Sequence, residues 1–314
     1  MKKKLLGLGL LLLASTASYA ISGSFGMGVE NEDYHGSYST TNDMAMPYFT
    51  ASFKDIIPGN PLTLDLSYSY RYKIDDASRA KDRRDRYEAY LGYKWKWNRL
   101  TFSPKIGIRH EAFAHGESSS RQATARYQSI YRIYPNFSYK INDDISYYLS
   151  GFVAPTKTKL NPSKKRAKGV KGETYYDDYK HELESGLSFI LSPTQNFKAA
   201  LYSEYERLVD DQSKEEWQLR LSYSHKLNSK LKVEPYARIG IDRDQRKKHK
   251  KTTENESKDI LRHRFGIKAN YAVTDTFTLL ADVYWQTERQ GQYSGGSKSD
   301  KELTFYKIGF IQAF

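Results

Sequence analysis

The chain has no cysteine in 314 residues. That excludes a disulfide framework, a thiolate metal site and a cysteine nucleophile. It also suits a protein that crosses an oxidising compartment, where stray thiols pair wrongly. Beyond the first twenty residues no apolar run is long enough to cross a bilayer as a helix. If the chain sits in a membrane, it must do so as a closed barrel, the other form that satisfies every backbone polar group. No segment recurs at a fixed period, which argues against a solenoid or propeller. The seven histidines are scattered: His35, His115 and His249 in polar segments, His110, His181, His225 and His263 near expected strand ends. None stands at a metal-ligand spacing, and no nucleophile has a positioned histidine beside it. Neighbouring carboxylates such as Glu204 and Glu206 would share one wet environment, without the split that acid–base catalysis needs. The expectation is a protein that is not an enzyme and carries no cofactor or metal.

What is abundant is tyrosine, 27 residues, together with 50 lysines and arginines against 37 acids, a formal net charge of +13. The first twenty residues, MKKKLLGLGLLLLASTASYA, combine a basic start at Lys2–Lys4, a short apolar run and Ser18-Tyr19-Ala20 as a small-x-small cleavage site. That is the pattern of a cleaved secretory signal peptide. The expected division is signal peptide 1–20 and one domain over 21–314. Removing three lysines leaves 13 − 3 = +10. For an exported protein this points away from nucleic acid and toward lipopolysaccharide phosphates and anionic solutes.

The stretch PLTLDLSYSYRYK, 61–73, alternates Leu62, Leu64, Leu66, Tyr68, Tyr70 and Tyr72 with polar residues. In a strand such alternation gives one apolar face and one wet face. The same pattern recurs to the chain end and gives fourteen strands. RYEAYLGYKWKW sets Tyr87, Leu91, Tyr93 and Trp95 opposite Glu88 and Lys94, and LTFSPKIGIRHE sets Ile106 and Ile108 opposite Lys105 and Arg109. Short turns fall at 55–60, 98–99, 142–144, 192–196, 228–230 and 274–275. Longer polar segments fall near 31–43, 74–85, 112–126, 155–180, 208–215, 243–259 and 289–302. Strictly alternating short and long connections are the mark of an outer-membrane barrel, with short periplasmic turns and longer extracellular loops. A soluble sandwich would not sort its loops so regularly. The expected fold class is an all-β transmembrane antiparallel β-barrel of fourteen strands in the bacterial outer membrane, among lipid and lipopolysaccharide.

In that arrangement leucines and tyrosines face lipid, and the charged residues between them face the lumen. The inward set expected to line a pore is Arg71, Arg86, Glu88, Lys94, Lys105, Arg109, Glu111, Arg132, Glu184, Glu204, Arg220, Glu234, Arg238, Asp242, Arg262, Arg264, Lys268 and Asp282. Bases outnumber acids there, which biases a pore toward anions. The same charges also pair across neighbouring strands and keep the lumen wet. Tyr90, Tyr134, Tyr148, Tyr202, Tyr236 and Tyr284 point inward too, as space-fillers or as a stacking track for sugar rings. Two basic runs, 156–172 and 243–251, read as extracellular loops that meet lipopolysaccharide.

VEPYARIGIDRD, 233–244, and RFGIKANYAVTDTFTLLADVYWQTERQG, 264–291, resemble hairpins of the OmpG-type monomeric porins, and the closing KIGFIQAF resembles the end of an outer-membrane barrel. The resemblance extends over the mature chain in strand count and hairpin layout. It implies a monomeric fourteen-stranded channel passing small hydrophilic solutes, sugars among them, with extracellular loops able to gate it. No histidine here is matched to a motif position of that family, which leaves histidine-driven pH gating open. Two other readings stand beside the diffusion porin: a specific channel for acidic oligosaccharides, and a surface adhesin using the basic loops.

Overall fold

A computed structural model of the chain describes residues 22–35, 43–57, 59–73, 83–115, 124–161, 174–208, 212–248, 255–290 and 300–314. The expected signal peptide 1–20 and its cleavage point lie outside the described residues. The chain forms β1 (Ser22–His35), β2 (Met44–Lys54), β3 (Leu62–Lys73), β4 (Arg83–Tyr93, continued by Trp95–Trp97), β5 (Leu100–Phe102, continued by Lys105–His115), β6 (Thr124–Tyr134, continued by Phe137–Lys140) and β7 (Ile145–Asn161). Then follow β8 (Thr174–Ser192), β9 (Gln195–Leu208), β10 (Gln212–Lys226), β11 (Leu231–Lys248), β12 (Asn255–Ala272), β13 (Phe277–Gln290) and β14 (Lys301–Ala313).

Every strand pairs antiparallel with its chain neighbours, and β1 pairs with β14 from Ser24↔Ala313 to His35↔Glu302. The sheet therefore closes on itself and leaves no unpaired edge, the condition for a sheet to lie in lipid. Closure extends to the last residue, where Gly23 and Phe314 exchange both backbone hydrogen bonds at 3.0 Å.

The two faces separate as the alternation requires. Leu91, Ile106, Ile133, Leu201, Phe265, Ile267, Val283, Trp285 and Ile308 are exposed on the outer face. On the other face, side chains from strands two apart meet, as Arg220 of β10 meets Glu184 of β8 and Tyr236 of β11 meets Asp282 of β13. Such reach is natural on the concave side of a barrel, where the circumference is shorter. Outer-face aromatics form two rows: on β8, Tyr179 packs with Tyr205, and Phe189 with Phe197. Ten residues of tilted strand separate Tyr179 from Phe189, a rise of about 25 Å, the height of an outer-membrane apolar band.

The short turns fall where the sequence places them, between Lys54 and Leu62, at Asn98-Arg99, and between Lys140 and Ile145, Ser192 and Gln195, Lys226 and Leu231, and Ala272 and Phe277. At the other end the strands outrun expectation. Much of 155–180, 208–215 and 243–259 is strand, and β8 has 19 residues, enough to rise about 48 Å at a tilt near 40°. Beyond the aromatic row the outer face need not be apolar, so the alternation that marks a strand fades before the strand ends. Of the basic runs read as loops, Thr156–Asn161 and Arg243–Lys248 are strand; 162–172 and 249–251 lie outside the described residues. His110, His181 and His263 likewise sit within strands rather than near their ends.

Strands β4, β5 and β6, expected to be continuous, are each interrupted: at Lys94, at Ser103-Pro104 and at Pro135-Asn136. Proline has no N–H for the ladder, so a barrel with no edges must place it at an irregularity. The breaks lie side by side and satisfy one another, Tyr93 N bonding Pro104 O at 3.1 Å and Ser103 N bonding Asn136 O at 2.8 Å. On β7 the fault is completed by Gly151, at φ 116°, whose N–H bonds Asn136 Oδ1 at 3.1 Å. A side chain there would meet the backbone oxygen of Glu182, so only glycine fits.

Candidate functional site

The inner face of the barrel is the candidate site, and it divides into three charged regions. The first is on β4–β6. Arg86 lies directly opposite Glu111, and Glu88 opposite Arg109. Arg86 Nε is 2.7 Å from Glu111 Oε1, and Arg109 Nη2 is 3.0 Å from Glu88 Oε1. Arg132 joins from β6, 3.8 Å from Glu88, and donates to the hydroxyls of Tyr90 at 3.3 Å and Tyr134 at 3.1 Å. Its guanidinium lies 4.0 Å above the Phe152 ring. Cross-strand pairing of opposite charges compensates Arg86 and Arg109, while Arg84, on the same strand face and directly opposite Arg71, has the Met46 sulfur as its acceptor at 3.8 Å.

The second region is a row of carboxylates. Glu182, Glu204 and Glu216 stand directly opposite one another on β8, β9 and β10. Adjacent like charges are destabilising unless neutralised, and here they are. Lys180 reaches Glu182 at 2.9 Å and Glu204 at 3.5 Å, and Lys214 reaches Glu204 at 2.7 Å. Glu216 is fully buried. Arg262 grips it with Nε at 3.0 Å and with Nη2, Arg243 Nε lies 3.3 Å away, and Gln218 donates a further hydrogen bond. Arg243 also bonds Glu288 at 2.9 Å.

The third region is a row of arginines on the next strands. Arg220 is directly opposite Arg238, and Arg238 directly opposite Arg264. Arg220 is stacked 3.3 Å over Tyr202 and pairs with Glu184 at 3.0 Å. Arg264 is 3.9 Å over Tyr284 and donates twice to the neutral Gln286, at 3.1 and 2.7 Å. Arg238 has its guanidinium 5.7 Å from the Tyr236 ring. Between Tyr236 and Tyr284 lies Gly266, where a Cβ would come within 2.6 Å of both side chains. The lack of a side chain there leaves room for the Tyr236 ring.

Of the remaining expected residues, Arg71, Lys105, Glu234, Lys268 and Asp282 also project inward. Arg71 pairs with Glu32, Lys105 with Asp65 at 2.6 Å, and Lys268 with Glu234 at 3.1 Å. Asp282 accepts from Tyr236 at 3.0 Å. Lys94 stands exposed at the break in β4. Asp242 is the exception. A bulge between Trp217 and Gln218 pairs Asp242 with Trp217, on the outer face, and Arg243 takes the inward position beside Glu216. Strict alternation through Gly240 and Ile241 misses this, because one inserted residue inverts every side chain after it.

Reading the strands one at a time also missed Glu30, Glu32, Lys180, Lys214, Glu216 and Arg243. Four of these lie in polar segments whose composition predicts loops. Glu216 had a usable signal, since it stands four residues before inward Arg220 on the same strand face. The inward tyrosines offer little free stacking surface. Tyr202 lies under Arg220, Tyr284 is stacked on Phe305 at 4.5 Å, and Tyr90 meets Tyr134 edge-on. In the half nearer the short turns a cavity of about 290 Å³ opens against Ser24, Thr50, Ser52, Asp65, Ser67 and Tyr90 and also against Ala51, Leu66 and Ile311.

No protein-family model matches the sequence, and no curated protein matches it. Solved structures do match. A TodX deltaS2S3 mutant, described as a monoaromatic hydrocarbon channel, is 11% identical with a TM-score of 0.56 over 96% of this chain and 91% of that one. The Pseudomonas putida toluene transporter TodX is 10% identical with a TM-score of 0.55 over 95% and 91%. CymD, another monoaromatic hydrocarbon channel, is 8% identical with a TM-score of 0.51 over 94% and 88%. At such identities the likeness is one of fold: the chain is a closed fourteen-stranded antiparallel β-barrel, an architecture it has in common with these channels.

Proposed function

We propose that the protein is an outer-membrane porin of the OmpG type, a monomeric water-filled channel for small hydrophilic solutes with a mild preference for anions. The observation that carries this reading is the inner face, where arginine, lysine, glutamate and tyrosine replace the apolar residues of the outer face on the same strands. Charged groups that cannot all be buried need water, and in a closed barrel that water is in the lumen. The anion preference follows from compensation. Glu88, Glu111, Glu204 and Glu216 are each held by cations, whereas Arg238 and Arg264 have no carboxylate partner among the described residues.

The fold neighbours include hydrocarbon channels, and an apolar solute would need an apolar path. The charged wall of this barrel favours a hydrophilic one. No observation on the barrel favours a surface adhesin. Liposome swelling tests the solute class. Vesicles containing the protein should swell in isotonic small sugars and amino acids, at rates that fall with solute size. Swelling indistinguishable from protein-free vesicles would refute the channel.

A further inference from the structure

The carboxylate row and the arginine row lie on overlapping strands of one wall but are treated differently. Each member of Glu182, Glu204 and Glu216 has a lysine or arginine against it. Of Arg220, Arg238 and Arg264, only Arg220 has a carboxylate. Arg238, in the middle, has neither an ion pair nor a hydrogen bond among the described residues, and its nitrogens are not sealed from the lumen. Three guanidiniums side by side repel one another. Here the flanking two are fixed by ring faces, Arg220 on Tyr202 and Arg264 on Tyr284, and by neighbours that take two donors of each: Gln218 and Glu184 on Arg220, Gln286 on Arg264; their other nitrogens and the whole fork of Arg238 are left for a solute.

We infer that Arg220, Arg238 and Arg264 form a discrete binding site in the lumen for an oxyanion group, the carboxylate, sulfate or phosphate of a small solute. The inference rests on the channel reading and adds to it a saturable step. A general excess of positive charge raises the local concentration of all anions alike. A row of forked donors instead selects groups whose two or more oxygens accept in parallel. The solute class this favours is a small acidic hydrophilic molecule, bound at Arg238 and braced by its neighbours. The missing counter-charge of the row is then supplied by cargo. Chloride, with a single centre, satisfies the row less well than a dianionic oxyanion.

Inorganic sulfate is the probe. In planar bilayers at low ionic strength, sulfate should reduce the chloride current through the parent protein along a saturating curve. Arg238→Gln should raise the half-blocking concentration about tenfold, the loss of charged hydrogen bonds worth 1.4 kcal/mol or more. Arg238→Lys, which keeps the charge and loses the fork, should fall between the two. Lys198→Gln, which removes a charge from the neighbouring strand of the inner face but no forked donor, should shift it clearly less than Arg238→Gln does. Equal shifts for Arg238→Gln and Lys198→Gln, or block that never saturates, would overturn the site in favour of a diffuse field. Calorimetric titration of sulfate into the detergent-solubilised barrel separates this failure from that of the channel reading. Binding lost in Arg238→Gln but no current in the parent leaves the site and removes the channel. Current without saturable binding leaves the channel and removes the site.

Discussion

At the scale of single residues, the face a side chain occupies decides its worth. Leu66 pairs with Ala51 and Ala89 and lies on the outer face, while Ser67 pairs with Thr50 and with Glu88 of the inner face. Leu66→Arg should cost about 2–4 kcal/mol near the bilayer midplane, and Ser67→Arg little. Urea titration in liposomes checks this, and equal losses would mean that the faces are reversed. Glu216 makes the complementary case. Removing its carboxylate in Glu216→Ala leaves Arg262 and Arg243 without their shared counter-charge, a loss of about 3–5 kcal/mol by the same titration. The facing of Leu66 and Ser67 was plain in the sequence, because period-2 alternation inside the apolar band follows from strand geometry alone. The partnership of Glu216 was not, because it depends on β11 and β12, which no single-strand pattern describes. Asp242 was misplaced for a related reason: a bulge is a property of two strands.

At the scale of elements, strands and short turns were legible and strand ends were not. The turns at Asn142–Asp144 and Asn228–Lys230 use asparagine to cap the following amides, Asn142 Oδ1 accepting from Asp144 and Ile145 and Asn228 Oδ1 from Lys230 and Leu231. That is local chemistry, visible in sequence. The far ends of β7, β8, β11 and β12 continue beyond the aromatic rows, where the outer face is as polar as a loop. The breaks in β4, β5 and β6 were signalled by Pro104 and Pro135, but their alignment into one fault is a matter of register. The hairpin ends should lie on opposite sides of the membrane. The chain has no native cysteine, so Lys157→Cys and Asp143→Cys, at the two ends of β7, can be labelled separately. A membrane-impermeant maleimide on intact cells should modify Lys157→Cys and spare Asp143→Cys. The converse pattern would invert the barrel.

At the scale of the molecule, the charges of the lumen are unequally compensated. The sequence already implied more bases than acids inside the barrel, but not which of them remain free. Arg109 and Arg132 looked equivalent to Arg238 from their strand positions. The structure ties the first two to Glu88 and leaves Arg238 beside other guanidiniums. The measurement that tests this most directly is the reversal potential of the purified protein in a potassium chloride gradient. At low salt it should show mild anion preference, shrinking toward neutrality near 1 M, where the screening length is about 3 Å. Arg238→Gln with Arg264→Gln should still insert and conduct, with most of that preference gone. A reversal potential unchanged by the double substitution, or cation-selective in the parent, would contradict the account.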